Sequence, residues 1–312
     1  KFLIFFLLKQ FILCLVFLPL TSIAQEYVDV FKFGYSYTDQ AKFKDTNENT
    51  PINTFNAAVT LPIELNSKHA FLTGIDFSSQ NLWLSPEYSQ STTLYNTLLK
   101  VGLATTFTEK WSTTLVLLPK IASDYKTISG DDFNFGIYAI AKLKKSEYFK
   151  FRFGLYASTE LFGVFATPII GAYYLSPNKH FEIDASLPIT AAVNYHFERV
   201  SVGFDYFAIG RSYNISQETS TPVYVDQRPI EASTYIQFGL AENSILLRAK
   251  LGYSSNTNEV YAQGDQLNYR ISAFSFGDDR TQLNSDILGS VFLKFEAIYR
   301  IHFKKNNATS KI

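Results

Sequence analysis

Residues 55–65 read FNAAVTLPIEL: the odd positions Phe55, Ala57, Val59, Leu61, Ile63 and Leu65 are all apolar, while Asn56, Thr60 and Glu64 fall on even ones. A period of two marks a strand whose faces meet different surroundings, and a run of about 10 residues is what a tilted strand needs to cross a bilayer. Working outward, the alternation recurs at Phe31, Phe33, Tyr35 and Tyr37, at Leu99, Val101, Leu103 and Phe107, and at Phe133, Phe135, Ile137, Ala139 and Leu143. Elsewhere it sets apolar residues against charged ones. Phe149, Phe151, Phe153 and Leu155 oppose Lys150 and Arg152; Ile245, Leu247, Ala249, Leu251 and Tyr253 oppose Arg248 and Lys250. Near the end Val291, Leu293, Phe295, Ala297, Tyr299, Ile301 and Phe303 oppose Lys294, Glu296 and Arg300.

A water-soluble sandwich produces the same alternation with its apolar face inward, so the connections have to separate the two arrangements. Short links at 66–68, 108–110, 144–147, 176–179, 198–199 and 241–244 alternate with longer ones at 39–52, 80–92, 120–131, 213–229 and 255–285. Outer-membrane barrels show this asymmetry, with tight periplasmic turns and long external loops. Counting up and down predicts strands near 27–38, 53–66, 69–79, 93–107, 111–119, 131–143, 148–160, 167–175, 180–188, 190–197, 200–212, 230–240, 245–254 and 286–303. That is an even total of fourteen with both termini at the turn end, as single-chain bacterial barrels require. The two strands in 180–197 run about eight residues each, short for spanning; placed outside the wall, they leave twelve. The expected fold is therefore all-β, a closed antiparallel up-and-down transmembrane β-barrel.

Composition agrees. The 28 basic and 28 acidic side chains cancel over 312 residues, which removes the basic excess of a nucleic-acid binder. Aromatics at 16% beside charged residues at 18% suit a surface that faces something other than water. Residues 1–24, KFLIFFLLKQFILCLVFLPLTSIA, have a basic start, an apolar stretch and Ser22-Ile23-Ala24 before Gln25, the pattern of a signal peptide cut after Ala24. The expected division is signal peptide 1–24, barrel 25–303 and polar tail 304–312. Cys14 then leaves with the signal, and the bulky Phe11-Ile12-Leu13 before it argues against lipid attachment.

LPKIASDY at 118–125, DDFNFGIYAIAKL at 131–143 and FRFGLYASTELFGVFATPIIGAYYLSPNKHFEIDASLPI at 151–189 resemble a family of outer-membrane β-barrel proteins, a domain of unknown function common in Bacteroidota. The resemblance implies an architecture and an outer-membrane location, and carries over no functional residues. Membership of that class implies outer-membrane lipids and the barrel assembly machinery as partners. The final strand's Phe295, Tyr299 and Phe303 fit an assembly signal, displaced from the chain end by KKNNATSKI.

A charged side chain facing lipid costs about 2–4 kcal/mol at the midplane. The charges on the polar strand faces, Glu64, Asp76, Lys150, Arg152, Glu160, Glu182, Asp184, Asp205, Arg248, Lys250, Lys294, Glu296 and Arg300, are therefore expected to face the lumen. They line a pore or neutralise one another across it. Glu182 and Asp184, two apart on one face, are close enough for acid/base work, although structural ion pairing is the commoner use of such pairs. His69, His180, His196 and His302 show no metal-ligand spacing, so no metal or cofactor is expected. His196 near Ser201 across the Glu198-Arg199 turn is the one arrangement that suggests a nucleophile and base. Phe31, Tyr35, Tyr37, Trp111, Tyr148, Phe149, Tyr173, Tyr174, Tyr195 and Tyr299 cluster near strand ends, where interfacial girdles sit. Asn256, Asn258, Asp278, Asp279 and Arg280 make the longest external loop a polar, solvated one. The leading expectation is a narrow or occluded passive pore or structural membrane component. The alternatives are a membrane-embedded hydrolase acting on lipid or peptide, and a soluble periplasmic β-protein.

Overall fold

The computed structural model describes residues 27–88, 90–216 and 222–302. Residues 1–24, expected to be a signal segment, with Cys14, and Phe303 with the tail, lie outside them. In chain order the strands are β1 Tyr27–Lys42, β2 Asn49–Glu64, β3 His69–Leu82, β4 Thr92–Thr106, β5 Trp111–Ser123, β6 Phe133–Lys144, β7 Phe149–Glu160, β8 Gly163–Leu175, β9 Phe181–Leu187, β10 Thr190–His196, β11 Val200–Ala208, β12 Arg211–Ile215, β13 Val223–Gln227, β14 Ile230–Leu240, β15 Ile245–Ser254, β16 Asn258–Ala262, β17 Tyr269–Ile271, β18 Phe274–Phe276 and β19 Ser290–His302.

Fourteen of them form the wall. From β1 to β11 each pairs antiparallel with the next; β11 then pairs with β14, β14 with β15, β15 with β19, and β19 with β1. The ladder is closed. The short β9 and β10 belong to the wall, because β9 pairs with β8 and β10 with β11, so the twelve-stranded alternative is excluded. Neither an open sheet nor a two-layer sandwich fits a ring of this kind.

The faces are inverted relative to a soluble protein. Phe295, Leu117 and Leu247 are 63%, 53% and 45% exposed on the outside, whereas the Arg248, Arg152 and Lys294 side chains retain only 13%, 12% and 18% exposure. Among the described residues no helix is long and apolar enough to cross a membrane.

At the turn end the chain reverses with its own side chains. Asn66 accepts from the amides of Lys68 and His69 at 2.9 and 3.0 Å, Thr108 from those of Lys110 and Trp111, and Ser146 from that of Tyr148. Short polar side chains that replace a backbone acceptor make such turns tight.

The loop end differs from the sequence expectation. The stretches 213–229 and 255–285, read as polar loops, contain the end of β12 and all of β13, β16, β17 and β18. The hairpin β12–β13 pairs with β16 and folds into the mouth of the barrel. Its Tyr213, Ile215, Val223 and Val225 pack with Phe43, Ile52, Leu82, Leu84, Leu94, Ala122 and Val260 in one buried cluster. A second cluster, Ile140, Tyr156, Phe162, Phe165, Ile169, Tyr224, Tyr261 and Leu267, seats the rest of the inserts against β6 to β8. The mouth of the lumen is thus filled by an ordinary apolar core. Asn256 and Asn258, expected in solvent, are buried because their amides tie the inserts together: Asn256 donates to the Leu288 carbonyl at 3.1 Å and Asn258 accepts from Gln227 at 2.8 Å.

Close approach of β8 and β9 depends on a glycine. A Cβ on Gly171 comes within 2.0 Å of the Ala185 carbonyl oxygen. Gly171→Ala is expected to destabilise the barrel by on the order of 1–3 kcal/mol, the cost of overpacking. Loss of the folded band at a lower temperature in unboiled gel electrophoresis checks it.

Candidate functional site

Below the filled mouth lies a cavity of about 800 Å³, reaching from Tyr27, Glu182, His196 and Arg300 near the turn end up to Tyr213 and Gln227 of the hairpin. Of the charged residues expected inside, Asp76, Glu182, Asp184, Asp205, Arg248, Lys250, Lys294, Glu296 and Arg300 line it. Asp205, Arg248, Lys250, Lys294 and Glu296 are mutually engaged. Lys250 reaches Asp205 at 2.5 Å and Glu296 at 3.1 Å, Arg248 reaches Glu296 at 3.3 Å and Lys294 reaches Glu296 at 3.4 Å. Tyr235 lies beneath the Arg248 guanidinium at 4.3 Å, on the face that an aromatic ring offers a cation.

Glu64, Lys150, Arg152 and Glu160 lie outside this lining. Arg152 holds Asp184 through both terminal guanidinium nitrogens. Lys150 stands over the Tyr173 ring at 5.0 Å. Tyr173 is therefore not the interfacial residue the sequence suggested: it is buried, because in β8 the inward positions are the odd ones shared with Phe165 and Ile169. Glu64 sits at the turn end of β2, half-buried and paired with Ala70 across the ladder. Glu160 is in the mouth, where Lys120 donates at 2.5 Å, Ser158 at 2.7 Å, and the Ser212 amide and hydroxyl at 2.8 and 2.9 Å. That one carboxylate pins the hairpin to the wall.

Reasoning from alternation missed several charges. Lys100 shares parity with the inward face of β4 and salt-bridges Asp76 at 2.6 Å; its position between Leu99 and Val101 signals this. Asp29 has the parity of Phe31 and Phe33 and yet points inward to Arg300 at 2.6 Å, because a register shift between Asp29 and Phe31 displaces the alternation by one residue. The mouth holds a third group without a periodic signal. Asp226, fully buried on β13, receives Arg270 through two bonds of 2.9 and 2.7 Å and Arg280 at 3.2 Å. Arg280, expected on a solvated loop, has a side chain only 1% exposed. Phe162 and Tyr261 rings cover Arg270 and Arg280 at 4.1 and 4.0 Å.

Glu182 and Asp184 do not work as a pair. Glu182 is occupied by Tyr27, His196 and Asn194, and Asp184 by Arg152. The imidazole of His196 stands between Glu182 at 2.9 Å and Ser201 at 2.9 Å, a carboxylate, ring and hydroxyl in the order that nucleophilic catalysis uses. Ser201 lies in β11, which is paired on both sides, so the strand's amides around it are committed to the ladder rather than aimed at an oxyanion. His69, His180 and His302 bond to Thr105 and to the carbonyls of His196 and Asn243, respectively.

A closed antiparallel wall, an apolar exterior and an ionic interior define an outer-membrane-type β-barrel with a porin-like fold. The chain belongs to the family described as Domain of unknown function (DUF6268), whose model matches residues 20–264. None of the curated proteins matches it in sequence. Among solved structures it is similar to the NanC porin, at 9% identity and TM-score 0.39 over 87% of this chain and 100% of that one. It is also similar to the P. putida toluene transporter TodX, at 11% identity and TM-score 0.37 over 88% and 90% of the two chains. A third is Pseudomonas aeruginosa OccK7 (OpdD), at 10% identity and TM-score 0.35 over 87% and 98%.

Removing Asp226 leaves the buried Arg270 guanidinium without its carboxylate, which costs about 3–5 kcal/mol, while Arg280 keeps Asp278. Asp226→Asn is expected to loosen the mouth while the wall persists, read as faster proteolysis within 210–230 at unchanged far-ultraviolet circular dichroism. Asp278 in the adjoining loop carries the acid limit of this clasp. The Arg280 guanidinium bonded to its carboxylate holds it below the usual carboxylate range. A depressed folded value means its contribution is complete above the unfolded value of ~3.9 and is lost as pH falls through the lower folded one. Protection of the Leu283 amide, which donates to the Val260 carbonyl at 2.8 Å, is expected to hold from pH 7 to mildly acidic conditions and to fall only below the ordinary carboxylate range, read by hydrogen exchange referenced to the intrinsic rate at each pH.

Proposed function

We propose that this chain is an integral protein of the bacterial outer membrane, exported through a signal peptide cut after Ala24. In this reading it is a passive pore whose loop-side mouth is closed in the state described. The observation that carries the reading is the β12–β13 hairpin packed into the lumen, with Val225 and Asp226 fully buried inside the ring of the wall. The apolar exterior is the support for outer-membrane lipids as solvent, and for the barrel assembly machinery as the partner that inserts it. The turns face the periplasm and the loops face outward. The interior charges named from the sequence, together with Asp29, Lys100 and Lys120, are largely neutralised by opposite charges beside them, which leaves no strong selectivity for either sign of ion.

The test is conductance in planar bilayers. The intact protein is expected to give no sustained unitary steps, whereas a variant with residues 212–226 replaced by a short Gly-Ser linker conducts in steps. Sustained large steps from the intact protein, or a folded linker variant that stays silent, refute the occluded pore. Membrane residence is tested separately: Leu117→Arg, at the centre of β5, is expected to cost about 2–4 kcal/mol in urea unfolding from liposomes. A second reading, a membrane-embedded hydrolase, draws on the Glu182–His196–Ser201 chain. It requires lipid or peptide hydrolysis by the intact protein that is abolished by His196→Ala.

A further inference from the structure

The hairpin β17–β18 belongs to the longest external connection, yet its side chains are arranged like those of the wall. Tyr269, Ile271, Phe274 and Phe276 are exposed, with Phe274 at 69%. On the other face Arg270 is buried, bonded to Asp226 and, through its Nε at 3.1 Å, to the Ser275 hydroxyl. In water this arrangement is backwards, since it hides the cation and shows four large apolar groups on one small hairpin. Tyr269 and Phe276 stack at 4.8 Å, so the exposed face is continuous.

Its place in the fold explains the inversion. β9 covers β8 only from Ile170 to Leu175, because β9 and β10 are seven residues long. The upper part of β8 is met instead by β17, parallel and in register: Tyr269 with Val164, Arg270 with Phe165, Ile271 with Ala166. Outward Val164 thereby continues into outward Tyr269, and inward Phe165 into inward Arg270. Because β8 runs from the loop end to the turn end, a parallel β17 descends along it, and the Ser272–Ala273 tip points towards the turns. The tip is held there by the Ser272 amide on the Ala166 carbonyl at 2.9 Å and by the Ser272 and Thr167 hydroxyls at 2.6 Å. From Tyr174 to Val164 is about 33 Å along a strand. At a tilt of about 40° this spans roughly 25 Å, the height of a barrel's apolar band. Tyr269 and Phe276 therefore sit at the upper edge of that band, with Ile271 and Phe274 inside it.

We infer that the β17–β18 hairpin is a lipid-facing element, an external loop that dips beside the short β9–β10 strands and presents Tyr269, Ile271, Phe274 and Phe276 to the acyl chains of the outer leaflet. The occupant is lipid because the face runs without a break into the outward face of β8 and repeats the wall's inverted pattern. The inference rests on the membrane reading proposed above, and the experiment separates the two.

Single nitroxide labels are placed by Phe274→Cys and Ile271→Cys in the full chain carrying Cys14→Ser, refolded in liposomes. Belt controls are Leu117→Cys and Phe295→Cys; the loop control is Asp279→Cys. Collisions with dissolved oxygen are compared with those of a water-soluble nickel chelate. Positions 271 and 274 are expected to match 117 and 295, with oxygen collisions several-fold in excess, and to oppose 279. If 117 and 295 are lipid-like while 271 and 274 follow 279, the hairpin assignment falls and the membrane reading stands. If 117 and 295 are themselves water-exposed, both fall. Spin–spin broadening at 274 that vanishes on dilution with unlabelled protein marks a contact with a second copy and overturns the lipid assignment. Phe274 is exposed, so its replacement leaves no cavity, and the Ile271 label gives an independent reading.

Discussion

A strand removed from water has nowhere to send its amides and carbonyls except to a neighbouring strand, so a sheet in such surroundings has to close on itself. The pairing of β19 with β1 satisfies that demand, and the rest of the architecture follows from it. Closure divides side chains into two populations with no third choice. Phe33, Leu117 and Phe295 fall outside the ring, and Lys100, Arg248 and Glu296 fall inside it. Once enclosed, the ionic groups are short of solvent and must solvate one another, which explains why Glu296 alone is shared by Arg248, Lys250 and Lys294.

The interior solves that problem in two ways along its length. Near the turns it keeps a polar cavity in which charges are crosslinked and rings such as Tyr27 and Tyr235 shield cations. Near the loops it abandons polarity and packs hairpin residues as a soluble protein packs its core. Lys120, Glu160, Asp226 and Arg270 survive there only because each has partners, and those partners are what fix the hairpin's position.

Alternation reveals the wall because a closed barrel enforces a period of two over long runs, and β2, β15 and β19 display it almost without interruption. It fails where the period breaks. Asp29 was invisible because one bulged residue reverses parity. Tyr173 was misplaced because the outward residues of β8, among them Ala166, Pro168 and Ala172, are too small or irregular to announce their face. The mouth was illegible for a different reason. Val223, Val225 and Asp226 come from a stretch rich in polar residues; burial of the valines depends on distant side chains contributed by β1 to β5, and that of Asp226 on Arg270 and Arg280. The Glu182–His196–Ser201 contacts were half visible: the turn at Glu198-Arg199 brings His196 to Ser201, but Glu182 arrives through the β9–β10 pairing, which short strands leave in doubt.

The two inserts leave and rejoin the wall at residues that already face each other: Ala208 pairs with Ile230, and Ser254 with Ser290. Each is therefore a side excursion hung on a hydrogen-bonded rung, and neither is threaded through the ring. The cylinder can zip shut with both excursions still outside, and the hairpin can seat afterwards without any rung being broken. Connectivity thus permits the wall to close before the hairpin seats and the hairpin to come away without any wall rung opening.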